Sequence, residues 1–171
     1  MRDTLTNWQM AIGAWPIAEA VRGTVWVKAL LESFHILSLG FVLFAAGMTA
    51  LRLAAPSQAR STVDTMRRFS AWLWGGLVAA IVTGLLLLTG AGVGRGLPSP
   101  MFQLKMGAMF VSILLAVSLQ ITVGRHAQFW EQAPGGRLTA KVVASVYFLV
   151  WVFTVYTGRW LAYGYVLFPN G

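Results

Sequence analysis

Four ionisable side chains in this sequence stand where an apolar chain has least room for them. Glu32 and His35 interrupt residues 26–52, WVKALLESFHILSLGFVLFAAGMTALR, a run otherwise apolar enough to cross a bilayer. Lys105 and Arg159 interrupt two later apolar runs, and Arg159 shares a helical face with Tyr156 and Tyr163. On a helix Lys28, Glu32 and His35 fall at i, i+4 and i+7, which makes one polar stripe on an apolar cylinder. An unpaired charge near the bilayer centre costs at least about 2.5 kcal/mol, so such groups face a bundle interior and mark ion, proton or cofactor chemistry. An imidazole in that setting ligates a haem iron, hydrogen-bonds a quinone, or joins thioethers around Cu(I). Lys105 and Arg159 suit haem propionates or other anions as charge-assisted donors, Glu32 balances charge or carries protons, and Tyr156 and Tyr163 supply flat walls. No nucleophile–base arrangement, paired catalytic carboxylates or His-rich motif is present, so no residue is assigned to catalysis and hydrolytic chemistry is not expected.

The elements that must hold these residues are helices. The 171 residues are 57% hydrophobic and only 11% charged, the balance of one small integral membrane domain. A span needs about 20 apolar residues. The pattern predicts an all-α, integral membrane four-helix bundle over 24–165, with spans at about 26–52, 69–89, 101–124 and 142–165 and a short tail at 166–171. Residues 1–23 lack the continuous apolar stretch of a signal peptide and carry Asp3, Pro16 and Glu19. Leu5, Trp8, Ile12 and Trp15 share one helical face, which predicts an interfacial amphipathic helix, and Pro16 opens a second short turn. Ser61 with Asp64 three residues later resembles a capping box, so the second helix starts before its span does. Gly76, Ala80 and Gly84 form a small-residue stripe suited to close helix packing. The glycine-rich 90–100 segment has no strand before it, which makes it a turn rather than a phosphate loop. Pro134-Gly135-Gly136 is read as a breaker, with Thr139 capping the fourth span.

The absence of Cys removes disulfides, thiolate metal sites, iron–sulfur clusters and covalently attached haem. The net charge of +8 does not point to nucleic acid, because the cations cluster between apolar segments. Arg52, Arg60, Arg67 and Arg68 follow the first span, Arg125, Arg137 and Lys141 follow the third, and the loop on the other side offers Arg95. Both cationic connectors therefore face the cytoplasm, and both termini the periplasm of a bacterial inner membrane.

With that topology, His35, Glu32, Lys105 and Arg159 all lie within about 5 to 10 Å of the midpoints of their spans, on the outer side, at 1.5 Å per residue. Three helices thus bring ionisable groups to one layer. Glu32 is expected to neutralise Lys105 or Arg159, leaving the other cation and His35 to form an outward-facing polar pocket. A structural ion-pair network, or cations snorkelling to the surface, is the alternative. His126 lies about 25 Å from His35 along the bundle axis, so one haem cannot take both as ligands, and His126 reads as a loop residue. Met101, Met106 and Met109 near the His35 layer leave copper as a lesser alternative.

Four stretches carry a resemblance: ALLESFHILSLGFVLFAAGMTALRL, RRFSAWLWGGLVAAIVTGLLLL, PMFQLKMGAMF and WVFTVYTGRWLAY. Over roughly residues 14–165 the chain resembles a family of uncharacterised bacterial four-helix membrane proteins. The motifs concerned are Glu-x-x-His (Glu32, His35), Phe-x-x-Lys (Phe102, Lys105) and Gly-Arg-x-x-Ala-Tyr (Gly158, Arg159, Ala162, Tyr163). Family members often carry an acidic residue before the arginine that ends the first helix, where this chain has Ala50-Leu51-Arg52. The layout is also similar to copper-resistance D and cytochrome b561-type membrane domains. Two functions are expected. One is a membrane redox subunit that holds b-type haem or quinone in the outer leaflet and exchanges electrons with a periplasmic partner. The other is copper or small-cation transport, or a structural anchor. In either case the partners are the lipid bilayer and a second copy or a larger membrane complex.

Overall fold

A computed structural model describes residues 2–55, 61–92, 96–126, 129–130 and 134–161, and of 134–137 the backbone only. Six α-helices and no strand occur among the described residues. They are α1 (Arg2–Gly13), α2 (Pro16–Gly23), α3 (Val25–Ala54), α4 (Thr62–Thr89), α5 (Pro100–Arg125) and α6 (Pro134–Trp160). The last four carry windows long and apolar enough to cross a membrane.

The helix boundaries follow local chemistry. Ser61 Oγ accepts the Val63 N–H at 3.1 Å, and Asp64 lies in the first turn of α4, where a carboxylate suits the helix dipole. Pro16 opens α2 without losing a hydrogen bond, since the first N–H groups of a helix have no partner within it. The fourth long helix differs from expectation. It begins at Pro134, not near residue 142, so Gly135 and Gly136 are helical and Thr139 lies inside the helix instead of capping it. Proline at a helix start is pre-set for helical φ, and two glycines near an end cost only about 1 kcal/mol each. Arg159 consequently falls in the last turn of α6. Arg60, Arg95, Tyr163 and the 166–171 tail lie outside the described residues.

The described residues divide into two compact units, those within 1–39, 77–107 and 155–171, and those within 40–76 and 108–154. In the second unit, the four long helices meet in a ring. Phe41 and Phe44 of α3 pack on Trp72 and Phe69 of α4 at 5.5 and 5.7 Å between ring centres. Trp74 Nε1 of α4 donates to Gln120 Oε1 of α5 at 3.3 Å, and Ser112 and Thr154 join α5 to α6 at 2.9 Å. The Phe148 ring of α6 lies on α3 against Gly47, 3.2 Å from where a Cβ would stand. The core of this unit combines large side chains such as Trp151, Tyr147, Leu53 and Val123 with Ala45, Ala46, Ala50, Ala116, Ala140 and Ala144, which let helices approach closely.

In the first unit the side chain that fastens α1 is polar. Gln9 is 2% exposed, donates from Nε2 to Leu88 O at 3.0 Å and Ala91 O at 2.9 Å, and accepts the Leu97 N–H at 3.1 Å. Three bonds offset the cost of burying the amide. Gly96 packs so closely on that amide that a Cβ there would overlap it, and Gly90 does the same against Val21 of α2. Trp8 and Trp15, by contrast, remain more than half exposed.

Phe34, Phe44, Leu85, Phe110 and Leu149 are likewise more than half exposed. Large apolar side chains facing outward on every long helix are unfavourable in water and favourable in lipid. Gln9→Leu keeps the volume of the side chain but removes the three bonds, and should destabilise the α1–α2 segment by about 2 to 3 kcal/mol. Hydrogen–deuterium exchange in detergent should show faster exchange over residues 2–23 with α5 and α6 unchanged. Unaltered exchange in 2–23 would show that Gln9 does not fasten it.

Candidate functional site

His35 sits on α3 within the first unit, half-buried, and both of its ring nitrogens have partners. Nδ1 lies 2.9 Å from Thr83 Oγ1 of α4, and Nε2 lies 3.4 Å from Lys105 Nζ of α5. The donor inventory fixes the tautomer. Thr83 Oγ1 is 2.7 Å from Ala79 O, one turn back on its own helix, so its single proton goes to that carbonyl and its lone pair accepts from His35 Nδ1–H. Lys105 as an ammonium has donors only, so Nε2 is the bare acceptor. A chain of hydrogen bonds thus runs from Lys105 through the imidazole and Thr83 to the α4 backbone. Its first link is long: 3.4 Å exceeds the 2.7–3.2 Å of a well-formed N–H bond.

Two glycines make this approach possible. A Cβ at Gly84 would stand 3.2 Å from His35 Cε1, and a Cβ at Gly158 would stand 3.3 Å from Lys105 Cε and 3.4 Å from Nζ. The Cε1–Nδ1 edge of the imidazole therefore lies against α4 at Gly84, and the lysine stem lies against α6 at Gly158. In the sequence Gly84 belongs to a packing stripe and Gly158 to a motif, and Thr83 belongs to no such pattern. A hydroxyl one residue before a glycine, on the helix facing a lone histidine, is the signal that was there to be used.

The expected ion pairing is corrected. Glu32 meets neither Lys105 nor Arg159: it pairs at 3.9 Å with Lys28, one turn earlier on α3, and both side chains are half exposed. The i,i+4 spacing makes that partner the local one, and an exposed pair of this kind contributes little to stability. Lys105 has no carboxylate partner among the described residues. Arg159 is exposed and has no ion pair or hydrogen bond among the described residues. Tyr156 is also exposed, its ring 5.7 Å from that of Trp160. The structure thus brings together His35 and Lys105 of the candidate residues, and adds Thr83, Gly84 and Gly158.

Among the described residues no three His, Cys, Asp or Glu side chains converge on a metal-sized site. His126 follows the last residue of α5, at the opposite end of that helix from Lys105. Met106 is exposed and lines a groove with Phe102 and Gln103.

Fold and site together define a multi-pass, all-α membrane protein with a lysine–histidine pair seated on glycines in one half of its helices. Comparison with protein families, with curated proteins and with solved structures gives no match, so function is argued from this geometry.

Alanine at a helix-interior glycine ordinarily stabilises by about 0.5 to 1 kcal/mol. Gly107→Ala, where a Cβ meets nothing within 4 Å, should show that gain. Gly84→Ala should forfeit it and fall about 1 kcal/mol below Gly107→Ala in thermal unfolding, because the imidazole is held on both sides and resists displacement. Equal gains would mean that His35 moves freely.

Proposed function

We propose that the protein is a membrane redox subunit that binds the headgroup of a quinol or quinone between His35 and Lys105, in the outer leaflet, and passes its electrons to a periplasmic partner. The observation that carries this reading is the long Lys105 Nζ to His35 Nε2 contact of 3.4 Å, a donor facing an acceptor in an apolar layer. A quinol hydroxyl matches that pair: it donates to Nε2 while its oxygen accepts from the ammonium. Iron at Nε2 would set a second cation beside the Lys105 ammonium, whereas a quinol oxygen accepts from that ammonium, which supports quinol over haem.

Oxidation of a bound quinol breaks two O–H bonds, leaves two carbonyls, releases two protons, and passes two electrons, one at a time, to a haem- or copper-bearing carrier protein. His35 Nε2 takes the proton of the hydroxyl it holds, and the hydroxyl across the ring gives its proton to water. Thr83 holds the ring by Nδ1, so that Nε2 keeps its lone pair toward the incoming hydroxyl. Lys105 stabilises the oxygen as it loses its proton, the strong case of a charge-assisted hydrogen bond. Glu32, three residues nearer the outer end and exposed, receives the proton from His35 and releases it to the periplasmic side. The outward orientation rests on the cations that follow α3 and α5.

Full-length protein in detergent, titrated with decylubiquinol, should bind it in a way that His35→Ala and Lys105→Met each weaken at least tenfold, while Arg159→Ala does not. The absorption spectrum should be featureless in the visible before and after dithionite. A Soret band that disappears in His35→Ala would assign haem instead. Stoichiometric copper would assign a transport site, and no decylubiquinol binding by the wild type, or binding unchanged in all three variants, would leave a structural anchor.

A further inference from the structure

A second feature of the first unit has no part in the His35–Lys105 pair. Where α1 meets the start of α5 lies a groove of about 630 Å³, lined among others by Arg2, Leu5, Pro98, Phe102, Gln103 and Met106. Its volume is within the span of about 300 to 1,000 Å³ usual for a ligand site. Its walls are apolar except at Arg2 and Gln103. Arg2, exposed at the first turn of α1, is the single charged residue of the lining. Gln103 donates from Nε2 to Leu97 O at 3.3 Å, which fixes its amide and leaves Oε1 as the acceptor.

The groove is graded along the helix axis. Pro100 marks the start of α5, and Phe102 and Met106, at i and i+4, continue the apolar wall about 6 Å down the helix. A ligand suited to it has an anionic head for Arg2, a hydroxyl for Gln103 Oε1, and a hydrocarbon tail for Phe102 and Met106. Arginine is the side chain that best matches a phosphate, through paired N–H donors. A quinone offers Arg2 no charge, and phosphatidylcholine offers no hydroxyl and a phosphate whose charge its own choline balances.

We infer that this groove is a site for an anionic, hydroxyl-bearing glycerophospholipid of the phosphatidylglycerol type, with its phosphodiester on Arg2 and one acyl chain along Phe102 and Met106. The lipid bridges α1 to α5 and so acts beside Gln9 in holding the N-terminal helices. It does not depend on the quinol reading, since none of the lining residues belongs to the His35 contact.

The test is native mass spectrometry of the full chain in detergent, with dioleoylphosphatidylglycerol or dioleoylphosphatidylcholine added at equal concentration. The wild type should retain the phosphatidylglycerol in preference. Arg2→Gln, a change at an exposed position that leaves folding intact, should lower that retention about fivefold, the effect of one cation at an anionic headgroup, and leave phosphatidylcholine unchanged. Met106→Trp, which fills the groove, should lower retention of phosphatidylglycerol with Arg2 still present. Equal retention of the two lipids by the wild type, or unchanged phosphatidylglycerol retention in Arg2→Gln, overturns the inference. So does a co-purified molecule of quinone mass that Met106→Trp displaces.

Discussion

A lysine ammonium half-buried in an apolar layer, with no described carboxylate to neutralise it, is the constraint on which the first unit depends. Lys105 gives one of its three donors to His35 Nε2 across 3.4 Å. Burial of a charge is costly unless it is paired and hydrogen-bonded, so a helix that carries one here must hold it against something that accepts. The imidazole does so only if its proton is on the other nitrogen. That requirement reaches into α4, where Thr83 passes its own proton to Ala79 O and leaves a lone pair for Nδ1–H. One unpaired cation thereby orders side chains on three helices.

The same constraint accounts for the glycines. Lys105 and His35 approach each other because α4 offers Gly84 beside the ring and α6 offers Gly158 beside the lysine stem. In the second unit small residues serve packing: buried alanines let helices close on larger side chains such as Trp151 and Tyr147, and aromatic contacts and the Ser112–Thr154 bond join neighbouring helices. The outward-facing phenylalanines and leucines then give the helices a lipid-compatible surface.

Much of this was legible in the sequence, for reasons that can be named. Spans announce themselves by apolar length, and the 1.5 Å rise of a helix put His35 and Lys105 at one depth before any contact was known. The Ser61 cap was readable because it is a local hydrogen bond. Partner choice was less so. Depth alone points Glu32 to a distant cation, but the helix itself supplies Lys28 four residues away, and a local partner costs less entropy than a remote one. Pro134 has the composition of a breaker beside two glycines, but proline is equally a helix opener and opens α6 here. Gln9 was invisible because its partners, Leu88 O, Ala91 O and the Leu97 N–H, are backbone groups far along the chain, and no side-chain pattern reports them.

The central claim is that His35 presents a bare Nε2 to Lys105 and that a quinol hydroxyl takes its place between them. Nitrogen-15 NMR of histidine-labelled protein in lipid reads both nitrogens directly, with His35→Gln supplying the assignment. The expected spectrum has a protonated Nδ1 and an unprotonated Nε2, and addition of decylubiquinol shifts the Nε2 resonance while Nδ1 stays in place. A proton on Nε2 in the quinol-free protein, or an Nε2 resonance indifferent to decylubiquinol, would contradict the account.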